Sequence, residues 1–548
     1  MIEKALSAAV ALLLLGLAGC SGEKRPAAGG PQADRIRAHL ERLASDEMEG
    51  RAPGTPGGDR AAAYIAEQFA ACGLEPLGKD GFLQPVPMVG TSVEGKPLLS
   101  LQTPAGKREL SWYEDVVVTA GPAEADVDLQ LRDLPIVFAG YGIVDPTTGW
   151  NDYAGIDMKG KVALVFVNDP PSDDPAFFGG RALTYFGRWT YKIEEAARQG
   201  AAGILIIHNT EMAGYPWSVV QSSWSGEQFY LPEQVEEQTP FAGWITQGAA
   251  EALFQAEGTS WDEALAEAGR AGFQPRELRT KVSGDVRARV RRIESPNVLG
   301  LVRGSDPELA EEYIVLTSHY DHLGVGPAVD GDNIYNGALD NASGTALLIE
   351  LARVLAAQRE ELGRSVIFAA VTGEEQGLLG SRYLGEHPPV PLERIVADIN
   401  FDGINVWGET ENMVAMGAEK STLEAVVREV LGEMQIELSP DEFPEKGYFF
   451  RSDHFSFVRK GVPVIYYDSG LRFRGKPEDW GRNLMETYIQ RHYHQPSDEY
   501  DPQWSLEGAV QLGEVVRRTV LRIAKAPERP QWKPGEPAKS GILLGTGD

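Results

Sequence analysis

The sequence predicts an α/β fold in which a mainly parallel central sheet is flanked by helices and carries an inserted β-rich unit. Two observations carry that expectation. From about residue 313 to 526, short apolar runs rich in Val and Ile alternate with longer stretches whose apolar residues recur at helical spacing. That alternation is the pattern of strand–helix–strand units with a parallel sheet. From about residue 130 to 285 the pattern changes to closely spaced β-rich runs, which read as a compact unit of their own.

The elements follow in order. Ile36, Leu40 and Leu43 recur at helical spacing, as do Ile65, Phe69 and Cys72, with Gly73 placed to end the second helix. Between them EGRAPGTPGG, residues 49–58, is a loop by composition. In the middle block, LPIVFAG (134–140), KVALVFV (161–167) and GILIIH (203–208) are strands, and a helix over 191–199 leads into the last. The basic patch 287–292 precedes Ser295-Pro296-Asn297, the expected point of return to the main sheet. Thereafter YIVLT (313–317), SVIFAAVT (365–372), IVADINF (395–401) and VPVIYY (462–467) are strands, separated by helices over 345–357, 423–431 and 506–524. The expected organisation is a main unit of 33–129 and 286–526, an inserted unit of 130–285, and a flexible Pro/Gly/Lys-rich tail of 527–548.

With 548 residues, 43% of them hydrophobic and 24% charged, the chain has length enough for more than one core. Lys+Arg number 51 against Asp+Glu 80, a formal net charge of −29. Such a chain repels phosphate backbones, which excludes nucleic acid as a partner. Two cysteines cannot build a disulfide framework. One of them ends the N-terminal segment: Lys4, an apolar run over 5–17 and Ala18-Gly19-Cys20 read as a secretory signal too short to span a bilayer. Its LAGC ending resembles the lipobox of bacterial lipoproteins. That resemblance implies cleavage after residue 19, lipidation of Cys20, and an exported protein held to a membrane by its lipid anchor, periplasmic or at the cell surface. Residues 21–32 then serve as a polar tether, and Cys72 reads as a small buried hydrophobe.

The chemistry-bearing residues cluster at strand ends. His319, Asp321 and His322 lie at the end of the YIVLT strand, in SHYDH. Asp340 and Asn341 directly precede a helix, in NGALDNASG. Glu374 and Glu375 follow the SVIFAAVT strand, and Asp402 follows IVADINF. In an open α/β sheet the carboxyl ends of the strands share one edge, where ligands bind. Imidazole nitrogen and carboxylate oxygen without thiolate suit zinc, with manganese or cobalt as substitutes. The His319-x-Asp321 spacing lets a carboxylate hold the second nitrogen of a ligating imidazole. Of two adjacent acids, one can bind metal while the other handles a water proton.

GRAPGTPGG, SHYDHLG, NGALDNASG, TGEEQGLLGS, INFDG, SDHFSF and YHQPSD together resemble the di-zinc aminopeptidase family that includes glutamate carboxypeptidase two and the non-catalytic transferrin receptor. The fold this implies is that of the zinc peptidases, of phosphorylase/hydrolase-like type. The middle block, with FAGYGI, NDYAGIDMKGKVALV and GAAGILIIH, resembles the protease-associated domain that several of these enzymes carry as an insertion. Carried over by position, the resemblance implies two zinc ions per chain. His319 and Asp402 hold one, Glu375 and His494 the other, and Asp340 bridges them. It makes Asp321 the partner of His319, Glu374 the general base and Tyr493 the donor to the oxyanion. His322, His387, His454 and His492 fall outside the ligand set, His454 as a pocket residue and His387 and His492 as surface residues. The implied substrate is a peptide and the implied activity an aminopeptidase. A carboxypeptidase or dipeptidase of the same family stays open, with Arg451, Arg472, Arg474 and Arg482 as candidate clamps for a substrate carboxylate. A one-zinc glutaminyl cyclase and a peptide-binding lipoprotein without activity are the remaining readings, and an intact ligand set with Glu374 weighs against both.

Overall fold

The computed structural model describes residues 29–536; Cys20 and most of the expected tether lie outside them, as do 537–548. Four parallel strands form the centre of the main unit, in the order Ser365–Val371, Tyr313–His319, Ile395–Phe401 and Val464–Ser469. Antiparallel neighbours flank them: the end of a long strand, Arg276–Val302, on one side and Asn412–Met416 on the other. Every residue of the first three central strands is buried, which explains why these strands read as apolar runs without polar alternation. Alternate side chains nevertheless serve different layers. Ile314 and Leu316 join a core with Ile36, Leu40, Leu347, Leu351 and Val516, from the helices Ala33–Leu43, Ser343–Ala357 and Glu507–Lys525. Tyr313 and Val315 join a core on the other face with Leu384, Phe455 and Phe457, from Leu379–Glu386 and His454–Val458.

The helix Pro56–Ala71 starts where the loop composition ends. The Thr55 hydroxyl accepts from the Gly58 N–H at 3.2 Å, with Pro at the first helical position.

The inserted unit has its own parallel strands, Val162–Phe166, Gly203–His208 and Phe241–Thr246, with Val127–Phe138 beside the first and Val116–Ala120 beside the last. Its core begins earlier than expected. Leu99, Leu101, Leu110, Val116 and Val118 pack with Val282, Val286 and Ala288, so the unit starts before Leu98–Thr103 rather than at residue 130 and closes at 288. No breaker in the sequence marks that entry. The strand Arg276–Val302 pairs at its start with Val127–Phe138 and Leu98–Thr103, in its middle with Leu83–Val93, and at its end with the main sheet. One hydrogen-bonded sheet of 17 strands thereby runs through both units. The basic patch lies in that connecting strand, where Arg289, Arg291 and Arg292 pair with Glu94, Glu227 and Glu124.

Two further expectations change. Residues 527–536 are tied down rather than free, because Arg529 pairs with Glu312 and the Trp532 ring N–H donates to the Gly461 carbonyl at 2.9 Å. The stretch 470–490 contains an unforeseen helix, Trp480–Arg491. Among the described residues no helix is long and apolar enough to cross a membrane.

Candidate metal centre

The carboxyl ends of the parallel strands meet at one edge, as the order of motifs requires. His319 closes Tyr313–His319, Glu374 and Glu375 lie just past Ser365–Val371, and Asp402 directly follows Ile395–Phe401. Asp340 comes from the turn Ala338–Ala342, and His494 from the loop after Trp480–Arg491. The loops are fixed from behind. The Asp498 carboxylate accepts from the Leu339 and Asp340 N–H groups at 3.0 and 3.1 Å. The Asn341 side-chain oxygen accepts from Gly344 and Gly403 at 2.9 and 3.0 Å, tying the Asp340 turn to the Asp402 loop. Arg51, fully buried, donates to the carbonyls of Leu43, Tyr320, Asn336 and Gly337 at 2.6 to 2.8 Å. Gly337 has φ +53°, and a Cβ there would fall 2.4 Å from the His322 ring.

His319 Nε2 lies 3.1 Å from Asp402 Oδ1 and 3.3 Å from Asp340 Oδ1. His494 Nε2 lies 3.0 Å from Glu375 Oε2 and 3.3 Å from Asp340 Oδ2. Asp340 therefore turns one oxygen toward each imidazole. The donor atoms of His319, Asp340 and Asp402 stand within 4.8 Å of one another, as do those of His319, Glu374 and Glu375 and those of His322, Asp340 and Glu375. His494 Nε2 is buried among these oxygens without a hydrogen bond of acceptable geometry. A buried nitrogen left without a partner and aimed at converging carboxylates fits a cation, and the donor chemistry is that of zinc.

Electrostatics points the same way. Burial alone would raise the Asp340 carboxyl, but the imidazoles of His319 and His494 facing it hold it well below its ordinary range. Burial would likewise raise Glu375, yet the charge of His494 brings it down to about 2. His494 rises to about 10 against its own burial because Glu375 and Asp340 face it. Glu374 differs: burial pushes it well above the usual carboxylate range, the His319 charge opposes this, and Asp402 and Glu375 add to the rise.

All five expected ligands and Glu374 come together here, with three departures nearby. The Asp321 carboxylate is 3.7 Å from His319 Nδ1, too long for a hydrogen bond. The Asp321 main-chain carbonyl accepts from that nitrogen at 3.2 Å instead, and the carboxylate accepts from the Glu374 N–H at 3.1 Å. His322, expected to stand aside, is buried in the cluster with Nδ1 2.6 Å from Glu375 Oε1, so one strand end delivers both imidazoles. Of the four candidate arginines only Arg451 lines the cleft, since Arg472, Arg474 and Arg482 pair with Glu437, Glu409 and Glu442. His454 is buried under Tyr466, its rings stacked at 4.8 Å, and burial drops it to about 3. His387 is exposed and His492 half-buried. Tyr493 lies against the His494 ring, centroids 4.0 Å apart, and burial keeps its hydroxyl protonated.

The inserted unit adds residues that the sequence did not single out. The Ser223 hydroxyl is 2.7 Å from His494 Nδ1, so it fixes the ring whose other nitrogen faces Glu375. Arg188, Tyr215 and Ser223 line a cavity of about 80 Å³ with Glu374, Tyr493 and His494. A second cavity of about 120 Å³ opens on Asp340, Glu374 and Asp402, walled by Trp407, Tyr448, Tyr466 and Tyr488.

Comparison with known proteins agrees with this geometry. Residues 297–520 match the model of peptidase family M28. A probable zinc metalloprotease of Leptosphaeria maculans is 49% identical over 88 residues, which is 16% of this chain and 19% of that protein. The alignment thus spans under a fifth of that relative's length. Aminopeptidase YwaD of Bacillus subtilis is 23% identical over 419 residues, 76% of this chain and 72% of that protein. An aminopeptidase structure from Aneurinibacillus sp. strain AM-1 superposes with a TM-score of 0.53 at 20% identity, covering 92% of this chain and 96% of that one, and so shares the fold. The matched segment carries every strand-end residue of the centre, and over it this chain is similar to peptidase family M28.

Proposed function

We propose that this protein is an extracytoplasmic di-zinc aminopeptidase that removes N-terminal residues from peptides. The observation that carries the reading is Asp340, whose two carboxylate oxygens face His319 and His494, with Asp402 and Glu375 completing the two sides. His319, Asp340 and Asp402 would hold one ion, and His494, Glu375 and Asp340 the other, with His322 within reach of the second. Bound zinc supplies Lewis acidity, which polarises the scissile carbonyl and lowers the pKa of the attacking water. The chain's own groups do the rest. Glu374, oriented through its N–H by Asp321, takes the proton from the water and returns it to the departing amine. The Tyr493 hydroxyl donates to the developing oxyanion. The names of the relatives, a zinc metalloprotease and an aminopeptidase, support zinc and the direction of attack.

One observation favours a second reading. Among the described residues, Arg188 and Arg451 both leave a buried Nε without a hydrogen bond, and neither forms an ion pair with a carboxylate. Facing the cavity beside Glu374, they could hold the free carboxylate of a dipeptide or of a peptide's C-terminus. Metal analysis of the purified chain, with hydrolysis of aminoacyl-anilides, N-blocked peptides and dipeptides, separates the readings. About two zincs and cleavage of free N-termini support the aminopeptidase. Cleavage confined to N-blocked peptides moves the activity to the carboxypeptidase side, and a chain that binds no zinc when supplied with it overturns both. Export and lipidation at Cys20 complete the proposal. Fractionation of the wild type against Cys20→Ser tests them, with loss from the membrane fraction expected.

A further inference from the structure

Among the described residues, Asp468 is a carboxylate with no counter-charge. It lies on the strand Val464–Ser469 two residues after Tyr466, so the two side chains share a face, while Tyr467 points the other way to Thr519. That shared face lines the cavity of about 120 Å³ that opens on Asp340, Glu374 and Asp402. Among the described residues no Lys, Arg or His comes within ion-pair distance of Asp468. Arg451, on the same cavity, forms no ion pair with Asp468: one terminal nitrogen donates to the Ala213 carbonyl at 3.0 Å and the guanidinium lies over the rings of Tyr215 and Tyr448. The groups that do face Asp468 make matters worse for a lone anion. Burial pushes its carboxyl up to about 7, the charge of Asp441 adds to the rise, and that of Asp402 follows after the relief given by the Ser469 N–H.

Around this acid the walls are aromatic: Trp407, Tyr448, Tyr466 and Tyr488, with Met485. Such a pocket takes the methylenes of a long side chain against its rings and offers π faces and one carboxylate to a charge at its end. Its mouth is at the reacting centre, where the first residue of a bound peptide must lie.

We propose that this cavity receives the side chain of the substrate's first residue and that Asp468 selects a cationic one, lysine or arginine. The proposal rests on the aminopeptidase reading. Kinetics on lysyl-, arginyl-, norleucyl- and glutamyl-anilides test it, since norleucine matches the lysine stem without the charge. In the wild type kcat/KM for lysyl is expected to exceed that for norleucyl by about tenfold or more, the scale of a charge-assisted hydrogen bond. Asp468→Asn should bring that ratio to near one, and Asp468→Lys should turn the preference toward glutamyl. Calorimetry of free lysine and norleucine on the same proteins reads the preference without turnover. A wild type that favours norleucine, or an Asp468→Asn that lowers all substrates in equal proportion, would overturn the proposal. Failure to cleave any anilide would instead count against the aminopeptidase reading, and the amino-acid binding ratio would then decide the pocket by itself.

Discussion

The main unit and the inserted unit bury charge in opposite ways. In the inserted unit Lys192 is fully buried and donates to the Asn168 carbonyl at 2.9 Å; burial lowers its pKa to about 8, and the charges of Asp169 and Asp152 oppose that fall. Positive and negative groups there answer one another inside one fold. At the main unit's strand ends, Asp340, Glu374, Glu375 and Asp402 converge on His319, His322 and His494, and Asp321 and Asp453 stand close behind. Acids outnumber bases, and Asp453 leaves both carboxylate oxygens without a hydrogen bond. The difference teaches where each unit is complete. Around Lys192 the inserted unit supplies its own counter-charges, whereas the acids at the strand ends exceed the bases beside them and offer the donor set of a cation site.

The sharpest break in this comparison comes from removing the base without touching the ligands. Glu374→Gln is expected to lower kcat by about 100- to 10,000-fold while leaving the metal content unchanged. Asp340→Ala, which removes the oxygens facing both imidazoles, should lose metal as well as activity. Metal analysis beside peptidase assays distinguishes the two. An active Glu374→Gln enzyme would remove this residue as the base.

Arg51 tests whether the main unit's loops depend on a buried cation of the protein's own. Its charge is held at the centre by four main-chain carbonyls, and burial lowers its pKa to about 10 although Asp321 and Asp498 oppose this. Arg51→Met leaves those carbonyls without donors. It should destabilise the chain by about 3–5 kcal/mol, read by urea unfolding of the metal-free protein. A change below about 1 kcal/mol would mean that water replaces the guanidinium.

How much of this could be seen in the sequence follows from the same contrast. The strand ends were legible because parallel strands buried on both faces read as uninterrupted apolar runs, and a polar residue at the end of such a run stands out. His319, Glu374, Glu375 and Asp402 stand out that way, Asp340 by its place directly before a helix, and His494 only through the motif resemblance. What the sequence hid depends on docking. Ser223 lies in WSVVQSSWS, where nothing separates it from Ser222, whose hydroxyl merely bonds back to its own helix. Arg188 and Arg451 are 263 positions apart, and only the approach of the two units makes them neighbours. The early edge of the inserted unit is hidden because its first strand, Leu98–Thr103, alternates like any half-buried sheet and takes its meaning from the core it joins.

Ser223 therefore measures how far the inserted unit belongs to the centre. Ser223→Ala removes the group that fixes His494 Nδ1 and should weaken metal binding on the His494 side by about 10- to 100-fold, the usual cost of losing such a partner. Competition with a chelator reads this directly, and Ser223→Thr should restore it. Unchanged affinity in Ser223→Ala would leave the inserted unit a wall of the cleft and nothing more.

The smallest effect concerns pH and the inserted unit alone. His208 is buried there, its Nε2 bonded to the Tyr215 carbonyl at 3.1 Å, and Tyr215 lines both cavities at the centre. Burial lowers its pKa from 6.5 to about 4, although the carbonyl pulls the other way. A histidine depressed in the folded state binds its proton more readily when unfolded. Its contribution to stability is therefore complete above about pH 6.5 and is lost as the pH falls toward 4. Between pH 7.5 and pH 6 the loss amounts to about 1 kcal/mol. His208→Phe keeps the ring volume and cannot titrate, so the stability difference between wild type and variant should narrow by that amount across this interval. Hydrogen exchange over 210–217 should rise with acid in the wild type only. If both proteins respond alike, the acid sensitivity lies in the main unit, whose buried His454 has a still lower pKa of about 3.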